Sequence, residues 1–404
     1  MNIHESASPY APSDLKRGLD ALEQFGNMVY LVANKGPISQ ELLQSTIKQW
    51  DDSNPNAKAY AWDTVSEPDF KKSFVAIATI DQFREIEKNA VLANQLRFIL
   101  CNQADLNIKR EKRVLIIGAT AFLGKAFYEV FGHAYLNVVG TGFGKAESMG
   151  MQYLDITNPE GVAKFFETNQ EFDIVVYVSG EANADKAQVD QARAYALNTK
   201  PVELIAKYFS KGQFVYISTE YVFDGETAPY TSHSERKPKN YYGQTKKEAE
   251  DLTLQKFDHP IVIRMGALYG YNGPDDKKTT VAGIAQNIKT NQAIDIDELQ
   301  IKHPIILEDA ALTLIKLLDH KAEGIFQANG AMGVNKVELS KQMAKVWSEV
   351  GNSPYTASIA GNQKTDMSDK PRDTEMVNVD TPRSIGGGMR YMFDELKLES
   401  IKKV

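Results

Sequence analysis

Tyr242 and Lys246 stand four apart in Tyr242-Gly243-Gln244-Thr245-Lys246, inside a helix-forming run. A separation of i and i+4 puts both side chains on one helical face, so the ammonium can lie beneath the phenol. A nearby cation favours the phenolate and lowers the phenol's pKa towards working pH. Such a pair is a general acid that can protonate a carbonyl oxygen while hydride reaches its carbon. A tyrosine and a lysine at this spacing are also ordinary helix surface. The pair gains meaning only from the elements that would position it.

Those elements lie upstream. Arg113-Val114-Leu115-Ile116-Ile117 is a β-branched run that reads as a buried parallel strand. It feeds Gly118-Ala119-Thr120-Ala121-Phe122-Leu123-Gly124, and an amphipathic stretch from Lys125 to Phe131 follows. Strand, glycine turn and helix in that order suit a dinucleotide, whose pyrophosphate would rest on the helix N-terminus. Gly118 would allow the tight turn, and Gly124 the close packing of helix on strand. Ala121 takes the place of the middle glycine, which fits if the phosphates sit slightly farther out. A helix-capping turn without a ligand is the alternative.

Further strands are expected at Asn137 to Thr141, Met151 to Ile156, Asp173 to Val178 (ending at Ser179-Gly180) and Gln213 to Ile217 (ending at Ser218-Thr219-Glu220). The alternation predicts an α/β fold with a doubly wound parallel sheet, whose ligands bind at the carboxyl ends of the strands. Asp155 could accept from an adenine amino group, or cap the helix begun at Asn158-Pro159. Thr219 could hydrogen-bond a substrate carbonyl beside Tyr242, or cap its strand. NAD-preferring folds place an acidic side chain after the second strand. Here Thr141-Gly142-Phe143-Gly144-Lys145 has no carboxylate and one cation. That favours a 2′-phosphate and NADP(H) over NAD(H), with Lys145 equally readable as solvated loop charge.

From about Lys112 onwards the chain resembles the extended short-chain dehydrogenase/reductase superfamily. Within it, it resembles the dTDP-4-dehydrorhamnose reductases (the RmlD-like family) and the related regulatory β subunit of methionine adenosyltransferase. Ser218 to Gly225, Tyr242 to Lys246 and Arg264-Met265-Gly266-Ala267-Leu268-Tyr269-Gly270 carry the resemblance. Lys370-Pro371-Arg372-Asp373-Thr374 resembles the family's Arg-Pro substrate loop, with Lys370 at the arginine position. Val138 to Phe143 and Ala228-Pro229-Tyr230 look more like the regulatory subunit.

The resemblance implies a Rossmann fold with a smaller C-terminal substrate lobe. It implies Thr219, Tyr242 and Lys246 as catalytic residues, and Asn198 as the holder of a water in the proton relay. It implies cofactor contacts from Gly118, Thr120, Ala121, Phe122, Leu123, Gly124, Asp155 and Ile156, with Val178, Ser179 and Gly180 along the nicotinamide ribose. Glu220, Lys370 and Arg372 fall on the substrate side. Two departures bear on the substrate: Lys370 lacks arginine's bidentate fork for phosphate, and Ser179-Gly180-Glu181 replaces a small apolar run. Ile305 to Ala311 resembles a strand and helix start returning the chain to the main sheet, and Gly324 to Gly330 the strand after it. A helix is expected over Lys336 to Val350. Gly386-Gly387-Gly388 reads as a flexible turn before a last helix, Tyr391 to Lys402. The polar run between Tyr271 and Thr280 is a lid or a solvated loop.

The 404 residues exceed one ordinary domain. Residues 1–12 read as a flexible tail, 13–110 as a separate small α/β domain of unknown role, and 111–404 as the reductase domain. In the small domain, strands are expected at 27–33, 57–63, 73–79 and 95–101, and helices at 13–26, 39–50 and 81–93. The run Lys109-Arg110-Glu111-Lys112-Arg113 reads as its link to the rest. It carries no recognised chemistry, so it is either a docking module for a homodimer or protein partner, or a structural appendage. A net charge of −7 without a dense basic stripe argues against nucleic acid. No apolar run approaches the ~18–20 residues that span a bilayer, and the N-terminus has no secretory pattern, so a cytoplasmic location is expected. A single cysteine, Cys101, excludes an internal disulfide framework and reads as a buried small hydrophobe. The six histidines are scattered without ligand spacing, so no metal is expected.

Three functions follow from these residues. The first is an NADP(H)-dependent reductase of a nucleotide-sugar keto group. The second is a cofactor-binding regulatory subunit without catalysis. The third is an epimerase or dehydratase, for which Glu220 beside Thr219 could supply an acid.

Overall fold

The computed structural model describes residues 109–402 except 170, 271–278, 331, 351–352 and 381. Before them it describes four strands and residues 84, 87 and 88. The four are β1 (Val29–Val32), β2 (Lys58–Ala61), β3 (Phe74–Ala78) and β4 (Leu96–Leu100). β1 pairs in parallel with β2, and β3 with β4. Each falls inside a span that the alternation of apolar residues marks as a strand. Arg84 and Glu87 are helical. The expected tail over 1–12, the helices over 13–26 and 39–50, and Cys101 lie outside the described residues.

The main sheet draws on β5 (Arg110–Ile117), β6 (Tyr135–Gly142), β7 (Gln152–Tyr153), β8 (Ile174–Tyr177), β9 (Gln213–Thr219) and β10 (His259–Met265). After β11 (Leu268–Tyr269), β12 (Ile294–Asp297) and β13 (Ile305–Ile306), β14 (Gly324–Ala328) completes it; β15 (Ile359–Asn362) follows. Its seven strands run β14-β10-β9-β8-β5-β6-β7, all parallel. Strand order reverses between β5 and β8, and a crevice opens there at the strands' carboxyl ends. β8 and the second half of β5, Val114 to Ile117, are apolar and buried because both faces are covered. Val114, Ile116, Ile174 and Val176 point to one face, and Leu115, Ile117, Val175 and Tyr177 to the other.

Helices α1 (Phe122–Ala134), α2 (Pro159–Thr168), α3 (Ala184–Val189), α4 (Gln191–Asn198), α5 (Lys200–Ala206) and α6 (Tyr241–Lys256) alternate with these strands. Then come α7 (Thr280–Lys289), α8 (Leu307–Asp319), α9 (Lys336–Glu349) and α10 (Ile385–Lys402). α1 and α8 cover the first face; Phe127 and Phe131 of α1 are fully buried there, each stabilising by roughly 1.5–3 kcal/mol. α2, α5 and α6 cover the second face. Residues from 269 to 393, including Ile284, Met343 and Met389, close a separate core for a C-terminal lobe.

Four expectations need correction. The third strand is only Gln152–Tyr153, and Asp155 to Asn158 turn instead into α2. Ile305–Ile306 pairs with β11 rather than joining the main sheet; the returning strand is β14. The basic run read as a link begins β5, where Arg110 makes a two-pronged bond to Asp319 at the end of α8. Gly386 to Gly388 lie inside α10 rather than in a turn. Local propensity yields there to packing, because a Cβ on Gly388 would lie 2.1 Å from the Tyr269 hydroxyl. Most of the run between Tyr271 and Thr280 lies outside the described residues.

Candidate active site

Asn240 starts α6: its side chain accepts from the Gly243 N–H at 2.9 Å. Gly243 lets this turn press against the loop after β9, since a Cβ there would meet the Tyr221 carbonyl at 2.2 Å. Tyr242 and Lys246 thereby face the end of β9 and are almost wholly buried, as is Thr219. The Thr219 hydroxyl accepts from the Tyr221 N–H at 3.2 Å and lies close enough to the Tyr242 phenol to lower its pKa. Lys246 Nζ donates to the Ile217 carbonyl at 2.9 Å and lies 4.7 Å from the centre of the Tyr216 ring.

The charge balance differs from what the tyrosine–lysine spacing suggests. Burial pushes the Tyr242 phenol up to about 12; the Thr219 hydroxyl works against this, while Tyr221, Glu220 and Glu181 reinforce it. Burial also brings the Lys246 ammonium down to about 7, opposed by the negative charge of Glu250. The phenol therefore holds its proton at neutral pH. It is poised as an acid rather than lowered towards the phenolate.

Asn198 is fully buried and ties the site together. Its Nδ2 donates to Thr245 Oγ1 at 3.0 Å and to the Glu181 carbonyl at 3.2 Å, and its Oδ1 accepts from the Glu181 N–H at 2.8 Å. A Cβ on Gly180 would lie 2.6 Å from Asn198 Oδ1 and 3.6 Å from Lys246 Nζ. Gly180, just beyond β8, therefore sits beside Lys246.

The glycine turn fits a dinucleotide pyrophosphate. Gly118 has φ +96°, open to glycine, and a Cβ there would strike the Ser179 nitrogen at 2.7 Å. A Cβ on Gly124 would lie 2.1 Å from the Gly118 carbonyl, so glycine brings helix onto strand as expected. The first turn of α1 has no capping side chain at Ala121 and no acidic residue. With no acidic residue in that turn, the helix dipole there favours an anion. Thr120 packs at Gly142 on the neighbouring strand, where a Cβ would approach it to 2.4 Å.

At the far end of this crevice Lys145 is exposed. Asp155 spends one oxygen on the Thr157 N–H at 2.9 Å and hydroxyl at 2.7 Å, while Asn158 caps α2. Ile156 is buried in the core beneath.

On the substrate side a cleft of about 460 Å³ is lined by Tyr221, Gln300, Lys302, Lys336 and Lys370, among others. Glu220 Oε1 accepts from Lys302 Nζ at 2.5 Å; its Oε2 is buried with no partner. Lys370 bonds Asp185 on α3 at 3.2 Å. Arg372 is exposed, and its carbonyl accepts from the Ile301 N–H at 2.9 Å. Lys302, Lys336 and Gln300 carry no motif and come to the cleft only through folding. His303 is buried polar packing, 3.0 Å from Asp373. Among the described residues no group of three metal-ligating side chains comes together.

The chain is similar to known proteins in sequence and fold. The family model described as RmlD substrate binding domain matches residues 112–397. Methionine adenosyltransferase 2 subunit beta of Xenopus tropicalis is 29% identical over 244 residues, 58% of this chain and 71% of the relative. A probable dTDP-4,6-dihydroxy-2-methyloxan-3-one 4-ketoreductase of Streptomyces antibioticus is 27% identical over 239 residues, 58% of this chain and 77% of the relative. The crystal structure of dTDP-4-dehydrorhamnose reductase from Bacillus anthracis in complex with NADP superposes with a TM-score of 0.58 at 22% identity. It covers 71% of this chain and 99% of that one, a likeness of fold.

Proposed function

Because the chain belongs to the RmlD substrate binding domain family, we propose that it is an NADP(H)-dependent reductase of the keto group of a nucleotide-activated sugar. The observation that carries this reading is the meeting of Thr219, Tyr242 and Lys246 at the end of β9, beside Gly180. The turn from Gly118 to Gly124, with Thr120 to Leu123 between, would hold the cofactor's pyrophosphate. Lys246 would hold its nicotinamide ribose next to Val178, Ser179 and Gly180. Asp155 and Ile156 would flank adenine, and Lys145 would meet a 2′-phosphate.

When bound, the cofactor supplies the hydride. Thr219 polarises the substrate carbonyl by donating its hydroxyl proton into a hydrogen bond. Tyr242 gives its phenolic proton to the carbonyl oxygen as the carbon becomes tetrahedral, so a ketone becomes an alcohol. A phenol held at about 12 keeps that proton until an alkoxide develops. Asn198 holds Gly180, Glu181 and Thr245 in register, which supports a role in returning a proton to Tyr242. Lys370 and the uncoded Lys302 line the cleft that would take the sugar nucleotide, with Glu220 paired to Lys302 and Arg372 two residues on from Lys370. The test uses NADPH deuterated at nicotinamide C4 with a nucleotide 4-keto-6-deoxy sugar. Product that carries the deuterium at the former carbonyl carbon supports the proposal; consumption of NADPH with no label in the sugar sinks it.

A second reading, a regulatory subunit that binds the cofactor and catalyses nothing, draws on one observation. Lys370, which stands where the family has its phosphate-binding arginine, is engaged by Asp185. The relatives named methionine adenosyltransferase 2 subunit beta point the same way. Tight NADPH binding without turnover, and a synthetase that co-purifies, would favour it.

A further inference from the structure

Glu87 precedes the dinucleotide fold in sequence, yet its carboxylate is fully buried against residues far along the chain. Its Oε1 accepts from the Ser232 backbone N–H at 2.8 Å, and its Oε2 from the Ser232 hydroxyl at 2.8 Å. Arg84, one helical turn away, donates to Oε2 at 3.4 Å and to the Glu323 carbonyl at 3.0 Å. The Arg84 guanidinium also lies 4.1 Å from the centre of the Phe326 ring on β14, the edge of the sheet. A carboxylate tolerates burial only where donors replace its water, and here the donors come from the 231–234 turn and from Arg84.

That turn is a junction. The Ser232 carbonyl accepts from Arg264 Nη1 at 3.4 Å, and Arg264 grips Glu250 on the catalytic helix α6. Two residues earlier, the Tyr230 N–H donates to the Glu375 carbonyl at 2.8 Å, and the Val377 N–H donates to the Tyr230 carbonyl at 2.8 Å. Residues 375–377 follow directly on Lys370 to Thr374, the segment that brings Lys370 to the cleft. Gly225, at the other end of the same loop, is packed so that a Cβ would meet the Arg372 nitrogen at 2.5 Å.

We propose that Glu87 is a positioning residue through which the segment before the dinucleotide fold holds the 230–232 turn and, through it, the substrate loop. The segment that shows no chemistry of its own thus completes the substrate side from behind. The contact with the loop stands on geometry alone; its meaning for substrate binding rests on the function proposed above.

The test is hydrogen–deuterium exchange on the full chain and its Glu87→Ala, Glu87→Gln and Ser232→Ala variants. Loss of hydrogen bonds to a charged group should speed exchange of the Ser232 and Val377 amides by about tenfold or more in Glu87→Ala. Strands β5 and β8 should exchange as in the wild type. Glu87→Gln keeps an acceptor for the Ser232 N–H and should show a smaller rise. Ser232→Ala removes the hydroxyl's bonds to Glu87 and Arg84 but keeps the backbone N–H bond, and should raise exchange in both segments even if Glu87→Ala does not fold. In parallel, NADPH affinity should be unchanged while uridine diphosphate, as a probe of the substrate side, binds several-fold more weakly. Unchanged exchange at 230–232 and 375–377, or a rise shared equally with β5 and β8, overturns the proposal. The exchange pattern decides it whichever way uridine diphosphate behaves with the wild type, so failure of the nucleotide-sugar reading is separately visible.

Discussion

Changing Glu250 to glutamine would leave a fully buried guanidinium without its counter-charge. Glu250 Oε1 accepts from Arg264 Nε at 2.9 Å and Ser218 Oγ at 2.5 Å, and Oε2 from Arg264 Nη2 at 2.8 Å and Arg236 Nη1 at 3.1 Å. Burial alone would push this carboxyl up, but Arg264, the Ser218 bond and Arg236 outweigh it and hold it below its ordinary value. Breaking a buried pair on one side costs about 3–5 kcal/mol, because the remaining charge stays desolvated. Glu250→Gln should therefore lower the urea midpoint by that much stability at an unchanged slope. Replacing both partners with apolar residues, Glu250→Leu with Arg264→Met, should lose less than about 2 kcal/mol, since no charge is left uncompensated. The single variant should also take Lys246 further below about 7, because Glu250 is the charge that opposes its desolvation. Its cofactor affinity should then decline from a lower pH than in the wild type. A loss under about 1 kcal/mol in Glu250→Gln would refute the reasoning, for it would mean that water or another group replaces the carboxylate at no cost.

Two more outcomes follow from displaced protons. Lys246 titrates near 7 rather than 10.5 in the folded chain, so folding gains stability as pH rises from 7 to 10.5 and loses it as pH falls through that window. If the ammonium holds the ribose, NADPH affinity should fall above pH 7 by up to about tenfold per unit. Fluorescence titration should show that slope in the wild type and a flat line in Lys246→Met. Glu308 is raised from 4.5 to about 7, chiefly by burial, and its Oε2 has no partner. Its contribution is complete below 4.5 and is lost as pH rises to 7, so Glu308→Gln should melt like wild type in acid. At about pH 8 it should be more stable by ~1–3 kcal/mol. Equal melting temperatures at both pH values would contradict this.

The main sheet and the shared helix face of Tyr242 and Lys246 were legible because local signals carry them. Buried parallel strands are continuous apolar runs, the glycine turn needs a residue that tolerates φ +96°, and Tyr242 and Lys246 share a helix face by spacing alone. What could not be read locally is pairing across long separations. Glu220 with Lys302, Glu250 with Arg264 and Glu87 with Ser232 leave no period in the chain. The sign of the Tyr242 shift escaped for the same reason, since it is set by burial and by Glu220 and Glu181 rather than by the lysine four residues on. The glycine triplet shows the opposite failure, a strong local signal for a break that tertiary packing against Tyr269 overrides.

The most direct test of the account is NADPH oxidation, followed by absorbance, against a panel of nucleotide 4-keto-6-deoxy sugars, with wild type and Tyr242→Phe side by side. The account predicts turnover on at least one sugar, a fall of about 10²–10⁴-fold in the variant, and nearly unchanged NADPH affinity. Turnover in Tyr242→Phe close to that of the wild type, or tight NADPH binding with no turnover on any sugar, would contradict it.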